Sequence, residues 1–348
     1  MTGRISSTGL LCAAGGAMEL LFLSLYCAPA GAAGVLWMIG VNAVTYALFA
    51  LVVRMIRRSG SPPAHGLPVV FLFGVLFRLS LLPHGVVGSD DIYRYLWDGR
   101  VAAAGINPYA YTPTDPHLAS LATADLPSRV NHPELQSVYP ALAQGLFLLA
   151  HSLFGDSVAG MKLLLVCADI ATMLILWRFA SPTRLAPVPL LLYAWSPLPV
   201  LYFALDGHVD ALGILFLLLA VALFSAGRPL RGAAALGAGA LAKLVPLIAL
   251  PLLLRSLKGA RRILVPAVTA LVVLAGALIY YEPTWGVARS LATFGSHWEF
   301  NGSIFSVVFF LTGDNGTAHL VCGACFAVFI GVLSVLDRPA LEKVFWGF

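Results

Sequence analysis

The run Ser89-Asp90-Asp91-Ile92-Tyr93-Arg94-Tyr95-Leu96-Trp97-Asp98-Gly99-Arg100 sets three carboxylates and two guanidinium groups into a chain that is apolar on either side. A carboxylate at a lipid-water boundary takes a proton from an attacking hydroxyl, and cationic side chains nearby bind phosphate. The spacing predicts a short helix with Ser89 as N-cap and with Asp90 and Asp91 favoured at the positive end of its dipole. On that helix Asp91, Tyr95 and Asp98 share a face at i, i+4 and i+7, and Asp90 lies one turn before Arg94. Gly105 is expected to stop the helix and Asn107-Pro108 to turn the chain. From spacing alone the two acids could equally cap the helix and pair with Arg94. Three other places in the chain weigh against that.

Leu205-Asp206-Gly207-His208-Val209-Asp210 lies between two apolar runs and is too polar for a passive turn. His208 and Asp210 make at most two metal ligands, so orientation of a substrate hydroxyl or phosphate is the better expectation. Lys243 interrupts an apolar, small-residue run from Gly232 to Pro251; burying its ammonium costs about 2.5–3.5 kcal/mol unless it snorkels or meets an anion, which makes it a candidate phosphate partner. Phe294-Gly295-Ser296-His297-Trp298-Glu299-Phe300-Asn301 mixes aromatics with polar groups. An aromatic belt accounts for Trp298, while His297, Glu299 and Asn301 beside it suit a wall that stacks on and hydrogen-bonds a sugar. Asp169 and Lys162 read as packing partners within a bundle, and Asn131-His132-Pro133-Glu134 as loop punctuation.

The elements that must position these residues are membrane helices. With 348 residues, 59% hydrophobic, 11% charged and a mean hydropathy of +0.89, the chain reads as an all-α polytopic membrane protein, a single membrane domain over 1–348. Apolar runs at 8–28, 33–53, 67–83, 158–177, 186–204, 209–226, 232–254, 263–281 and 317–336 approach the ~20 residues a bilayer requires. Runs 138–154 and 303–311 are shorter and read as half-helices, giving about 9 to 11 transmembrane or half-helices in all. The N-terminal run is expected to be a retained helix. Arg4, Arg54/Arg57/Arg58, Arg178/Arg184, Arg228/Arg231, Arg255/Lys258/Arg261/Arg262 and Arg338/Lys343 cluster at helix ends and belong on the cytoplasmic side, with the N-terminus. That assignment requires 138–154 to return to the outer face and 232–254 to break near Lys243-Leu244-Val245-Pro246. Loops 84–137 and 282–302, the turn 205–210 and the bend at Lys243 then meet outside. The net charge of +5 is loop bias and not a nucleic-acid footprint. The five cysteines lie in or beside apolar runs and read as reduced bystanders.

In these residues the chain resembles the GT-C superfamily of membrane glycosyltransferases, in particular the bacterial polyprenol-phosphate-mannose-dependent mannosyltransferases (glycosyltransferase family 87-like) and the catalytic subunit of GPI mannosyltransferase I. The resemblance covers about Ser89 to Pro246 in order: the Asp pair, Gly105-Ile106-Asn107-Pro108-Tyr109, Tyr139-Pro140, Cys167-Ala168-Asp169, Ser196-Pro197-Leu198 before Gly207-His208-Val209-Asp210, and Ala242-Lys243-Leu244-Val245-Pro246. The GPI-type enzymes carry Asp-x-Asp where this chain has adjacent acids, and counting back from Pro108-Tyr109 puts Asp91 on the second. The resemblance implies inverting transfer of a hexose, mannose before glucose, with the pentose arabinose also behind mannose, from a polyprenyl-phosphate sugar to a lipid or glycan acceptor at the outer face of a bacterial plasma membrane. Asp91 or Asp90 would be the base; Arg94, Arg100 and Lys243 would bind the lipid phosphate; Tyr93, Asp98, His208, Asp210, His297, Trp298, Glu299 and Asn301 would line the substrate site. No cofactor or metal is indicated. Adjacent helical positions point about 100° apart, which disfavours a hydrolase-like pair of carboxylates. A transporter or flippase using Asp169, Lys162 and Lys243 is the rival, although the two halves show no repeat.

Overall fold

A computed structural model of the chain describes residues 7–29, 31–58, 65–180, 188–281, 286–297, 302–336 and 344. Among these the regular structure is helical throughout, without a strand, as expected of backbone that must satisfy its own hydrogen bonds in lipid. In order the helices are α1 (Ser7–Leu23), α2 (Ala32–Arg58), α3 (Gly66–Leu81), α4 (Asp91–Ala103), α5 (Ala141–Phe154), α6 (Val158–Ala180), α7 (Val188–Ala194) and α8 (Pro197–Pro199). They continue with α9 (Asp210–Ser225), α10 (Pro229–Ala242), α11 (Ala249–Leu254), α12 (Arg261–Ile279), α13 (Gly286–His297), α14 (Ser303–Thr312) and α15 (Asn315–Val335).

Among the described residues six stretches are long and apolar enough to cross a membrane: Thr8–Cys27, Ala32–Arg58, Val158–Arg178, Val188–Leu205, Arg261–Ile279 and Asn315–Val335. Three of the nine runs expected at full length are shorter. The helices α3 and α9 each have 16 residues, about 24 Å at the α-helical rise. The run 232–254 breaks at the anticipated place: α10 ends at Ala242, Lys243 is extended (φ −158°, ψ 139°), and a 3-10 turn over Val245–Ile248 precedes α11. Pro246 cannot donate to the helical ladder. It packs back on α10, where a Cβ at Gly239 would stand 3.2 Å from the proline Cβ.

The chain runs back and forth between two ends. At one, Arg178 shares a groove with Leu219, Ala222 and Ala226, and the Arg255 guanidinium donates to the carbonyl of Val335. At the other, Lys162 Nζ donates to the carbonyls of Leu81 (3.0 Å) and His84 (2.8 Å). The half-helix α5 stays at this second end. Tyr139, just before it, accepts the Tyr109 hydroxyl at its carbonyl (2.6 Å), and Asp156, just after it, pairs with Arg100 of α4 (2.5 Å). Gly99 permits the close contact between α4 and α5, since a Cβ there would lie 2.4 Å from the Phe147 carbonyl oxygen. Midway along the bundle, Arg78 of α3 and Asp169 of α6 form a fully buried ion pair. The Tyr193 hydroxyl donates to the same carboxylate (2.6 Å), and Arg78 also donates to the carbonyls of Gly74 and Ala194 (2.8 Å each).

Candidate active site

The acid-rich helix begins one residue later than its spacing predicts. Asp91 is the first helical residue and Asp90 stands at the N-cap with φ −104° and ψ 5°; the Ser89 hydroxyl accepts the Asp91 N–H (3.3 Å). Asp90 thus stands just outside the helical register in which adjacent acids point about 100° apart. Both carboxylates converge on one donor, the Asn131 amide, which reaches Asp90 Oδ1 at 3.0 Å and Asp91 Oδ1 at 2.6 Å.

Arg94 does not pair with Asp90. Its guanidinium donates to the carbonyls of Leu135 (3.0 Å), Asn131 (3.1 Å) and His132 (2.7 Å), gripping a turn in which His132 has φ +46°. This grip delivers the Asn131 amide to the acids. Expected at a lipid phosphate, Arg94 is thus buried and occupied by backbone. Arg100 is occupied as well, by Asp156 and by the Leu121 carbonyl (2.8 Å), toward the opposite end of α4 from the Asp pair. Asp98 shares the helix face of Asp91 but is enclosed, accepting from the Ser137 hydroxyl (2.5 Å) and the Gln144 amide (2.9 Å). Burial raises its carboxyl above the ordinary value of 3.8, against the lowering effect of Arg94 and the two donors. Tyr93 is buried, with the Arg129 guanidinium 3.9 Å above its ring.

The turn between Leu205 and Asp210 sits on the first turn of α4. Asp206 accepts the N–H groups of Val87 (2.9 Å) and Gly88 (2.8 Å), tying the turn to the segment that leads into the Asp pair. Gly207 has φ +71°, and a Cβ on it would strike Ile92 Cδ1 at 2.6 Å, so both backbone freedom and close approach demand glycine. His208 stacks on Tyr202 (centroids 3.8 Å apart, 10° between planes), with Nδ1 3.7 Å from Asp91 Oδ2. Burial lowers the His208 pKa from 6.5, opposed by the charges of Asp91, Asp210 and Asp206. Asp210 opens α9 and accepts the Lys243 ammonium. Lys243, its side chain 45% exposed, therefore meets a carboxylate of the protein at the bend.

At one end of the bundle Asp90 and Asp91 share the Asn131 amide, Asp91 faces His208, and Asp210, two residues further on, pairs with Lys243. Trp298, Glu299 and Asn301 lie outside the described residues, as does the side chain of His297, which ends α13. Asp169 and Lys162, the rival transport path, are committed to Arg78 and to backbone carbonyls. Asn131, Asp206 and Arg129 were not singled out by spacing. Asn131 and Asp206 stood in motifs already noted as polar, whereas Arg129 carried no sequence signal. Among the described residues no three His, Cys, Asp or Glu side chains are grouped to hold a metal, and the five cysteines are free.

A family model described as alpha-(1->6)-mannopyranosyltransferase, N-terminal domain, matches residues 6–258. The chain belongs to this mannosyltransferase family. The matched region contains every residue of the cluster from Asp90 to Lys243. No curated protein and no solved structure matches the chain. As an integral-membrane mannosyltransferase, the protein has a mannose donor, an acceptor and membrane lipids as its partners.

Proposed function

We propose that this mannosyltransferase moves mannose from a polyprenyl-phosphate mannose to a hydroxyl of a lipid or glycan acceptor, at the extracytoplasmic face of the membrane. The acceptor oxygen attacks the anomeric carbon, and its proton passes to Asp91. The bond from that carbon to the phosphate oxygen breaks, and the polyprenyl phosphate leaves with the electron pair and needs no strong acid. Asp91 is favoured over Asp90 because its side chain, 32% exposed, also faces His208. Lys243 beside Asp210 is the proposed counter-charge for the phosphate, acting more strongly where water is excluded. His297, Trp298, Glu299 and Asn301 are proposed to close over the sugar.

The family's α-(1→6) designation, brought to this chain, makes the acceptor group a primary hydroxyl at C6. Inversion to an α product then requires a β-linked donor. Support for the outer face comes from Arg178 and Arg255, which lie at the end of the bundle remote from the Asp pair. The observation that carries the reading is the convergence of Asp90 and Asp91 on the Asn131 amide beside His208, inside the region matched to the mannosyltransferase family.

The test incubates membranes containing the protein with radiolabelled polyprenyl-phosphate mannose and a crude lipid extract. Label is expected to move to a new lipid or glycan, and Asp91→Asn to cut that transfer about 100-fold or more. Full transfer by Asp91→Asn removes the base assignment. Intact donor crossing the bilayer without transfer removes the proposal itself.

A further inference from the structure

Asp91, the proposed base, offers its two carboxylate oxygens to different neighbours. Oδ1 accepts the Asn131 amide at 2.6 Å, while Oδ2 faces His208 Nδ1 at 3.7 Å. Access differs as well: the Asp91 side chain is 32% exposed and that of His208 9%. An acceptor hydroxyl can therefore reach the carboxylate, whereas the imidazole is largely enclosed.

The imidazole is fixed where it stands. Its backbone N–H donates to the Tyr202 carbonyl (3.1 Å), its ring is stacked on the Tyr202 ring, and Asp206, two residues earlier, is fastened to the amides of Val87 and Gly88. The other charged groups around it are engaged elsewhere. Asp210 accepts the Lys243 ammonium, and Asp206 accepts the two backbone N–H groups just named. Lys162 of α6, whose Cγ would lie 3.1 Å from a Cβ at Gly207, donates to the carbonyls of Leu81 and His84. Among the described residues Asp91 is the one carboxylate within 4.0 Å of a ring nitrogen of His208.

Imidazole in water holds a proton more tightly than a carboxylate does, by roughly 2–3 pK units. A general base lowers the barrier according to how firmly it holds the proton it takes. A carboxylate backed by an imidazole is thus a stronger base than the carboxylate alone. The 3.7 Å separation exceeds a hydrogen bond, and catalytic contacts of this kind tighten in the complex with substrate.

We propose that His208 is the final proton acceptor of the transfer, taking through its Nδ1 the proton that Asp91 Oδ2 receives from the acceptor hydroxyl. The acceptor O–H bond breaks as its oxygen bonds the anomeric carbon, and an O–H bond forms on Asp91. That bond breaks in turn and an N–H bond forms at Nδ1, leaving an imidazolium beside a restored carboxylate. The imidazolium returns its proton to water before the next turnover. His208 acts through Asp91, so the inference rests on the base assignment made above.

The test measures transfer from radiolabelled polyprenyl-phosphate mannose to a crude lipid extract, by the full chain in phosphatidylcholine nanodiscs, as a function of pH. Burial lowers the His208 pKa from 6.5. The wild-type rate is therefore expected to be full above 6.5 and to fall on acidification below it, as the ring becomes protonated and can take no proton. His208→Gln is expected to lower kcat about tenfold or more, to leave donor KM unchanged and to move the acid limb to lower pH. His208→Ala should regain part of its rate with added imidazole. A merely structural histidine would give a lower rate with the limb in place and no rescue, and that result overturns the inference. So does a wild-type kcat in His208→Gln, which leaves Asp91 as the base. The wild-type profile is a test by itself, since a rate that holds level on acidification until the fold is lost overturns the inference without any variant. Full transfer by Asp91→Asn removes the base assignment, and this inference with it.

Discussion

Asp169 and Asp91 are both acids with a cationic or basic neighbour, yet their surroundings set them to different work. Asp169 is fully buried between Arg78 and Tyr193, and its partner's remaining contacts are backbone carbonyls. Asp91 is 32% exposed, held by one amide and facing a histidine. A buried pair held by a tyrosine hydroxyl and two backbone carbonyls, with only Arg78 Nη2 left without a hydrogen-bond partner, is a fixed part of the bundle. A carboxylate steadied by a neutral donor keeps lone pairs open for an incoming hydroxyl. The difference shows that burial and partner type, and not the presence of charge in an apolar chain, separate the structural acid from the candidate base.

The largest effects should fall on opposite readouts. Asp91→Ala is expected to abolish transfer while leaving thermal stability in detergent close to wild type. Asp169→Ala, by stranding the Arg78 charge, should cost about 3–5 kcal/mol of stability, seen as loss of folded yield. An Asp169→Ala protein as stable as wild type would erase the distinction. Next in size, Asn131→Ala should lower kcat roughly ten- to hundredfold with little change in donor KM, since a misplacement on the order of 1 Å is enough for that; an unchanged kcat would show that the bridge does not position the base. Gly88→Ala is expected to cost about 1–3 kcal/mol, measured by thermal melting, because the added Cβ would lie 2.6 Å from Asp206 Oδ2. Smallest is a pH effect. His208 has its pKa lowered by burial from 6.5, so the unfolded chain binds the proton more readily. Its contribution to stability is complete above 6.5 and is lost as pH falls from there toward the folded value. His208→Gln should flatten that part of the stability-pH curve, and an unaltered curve would place the titration elsewhere.

Much of the frame was legible because lipid imposes it. The apolar runs, the half-helix after Pro140 and the break before Pro246 follow from length and from proline's missing donor. The Asp pair, His208, Asp210 and Lys243 stood out as polar groups where polarity is costly. What spacing could not give were contacts between segments distant in sequence. Arg94 lies four residues after Asp90, the separation of a helical ion pair, but three carbonyls from 131–135 compete successfully for its donors. Arg78 carried a signal that was available, an arginine inside the apolar run 67–83, and its partner lies on α6. Arg129 carried none, since an exposed loop arginine has no cost to explain until the ring beneath it is known.

The tether at Asn107 has a consequence for how the enzyme is divided. Its amide donates to the carbonyls of Tyr280 and Tyr281 (3.2 Å each), and Tyr109 meets the Tyr280 ring edge-on, although the family match ends at residue 258. The segment after α12 therefore braces the loop between α4 and α5 from outside the residues that the family model matches. Chimeras joined at that sequence boundary would cut the brace, whereas a junction beyond Tyr281 would carry it along.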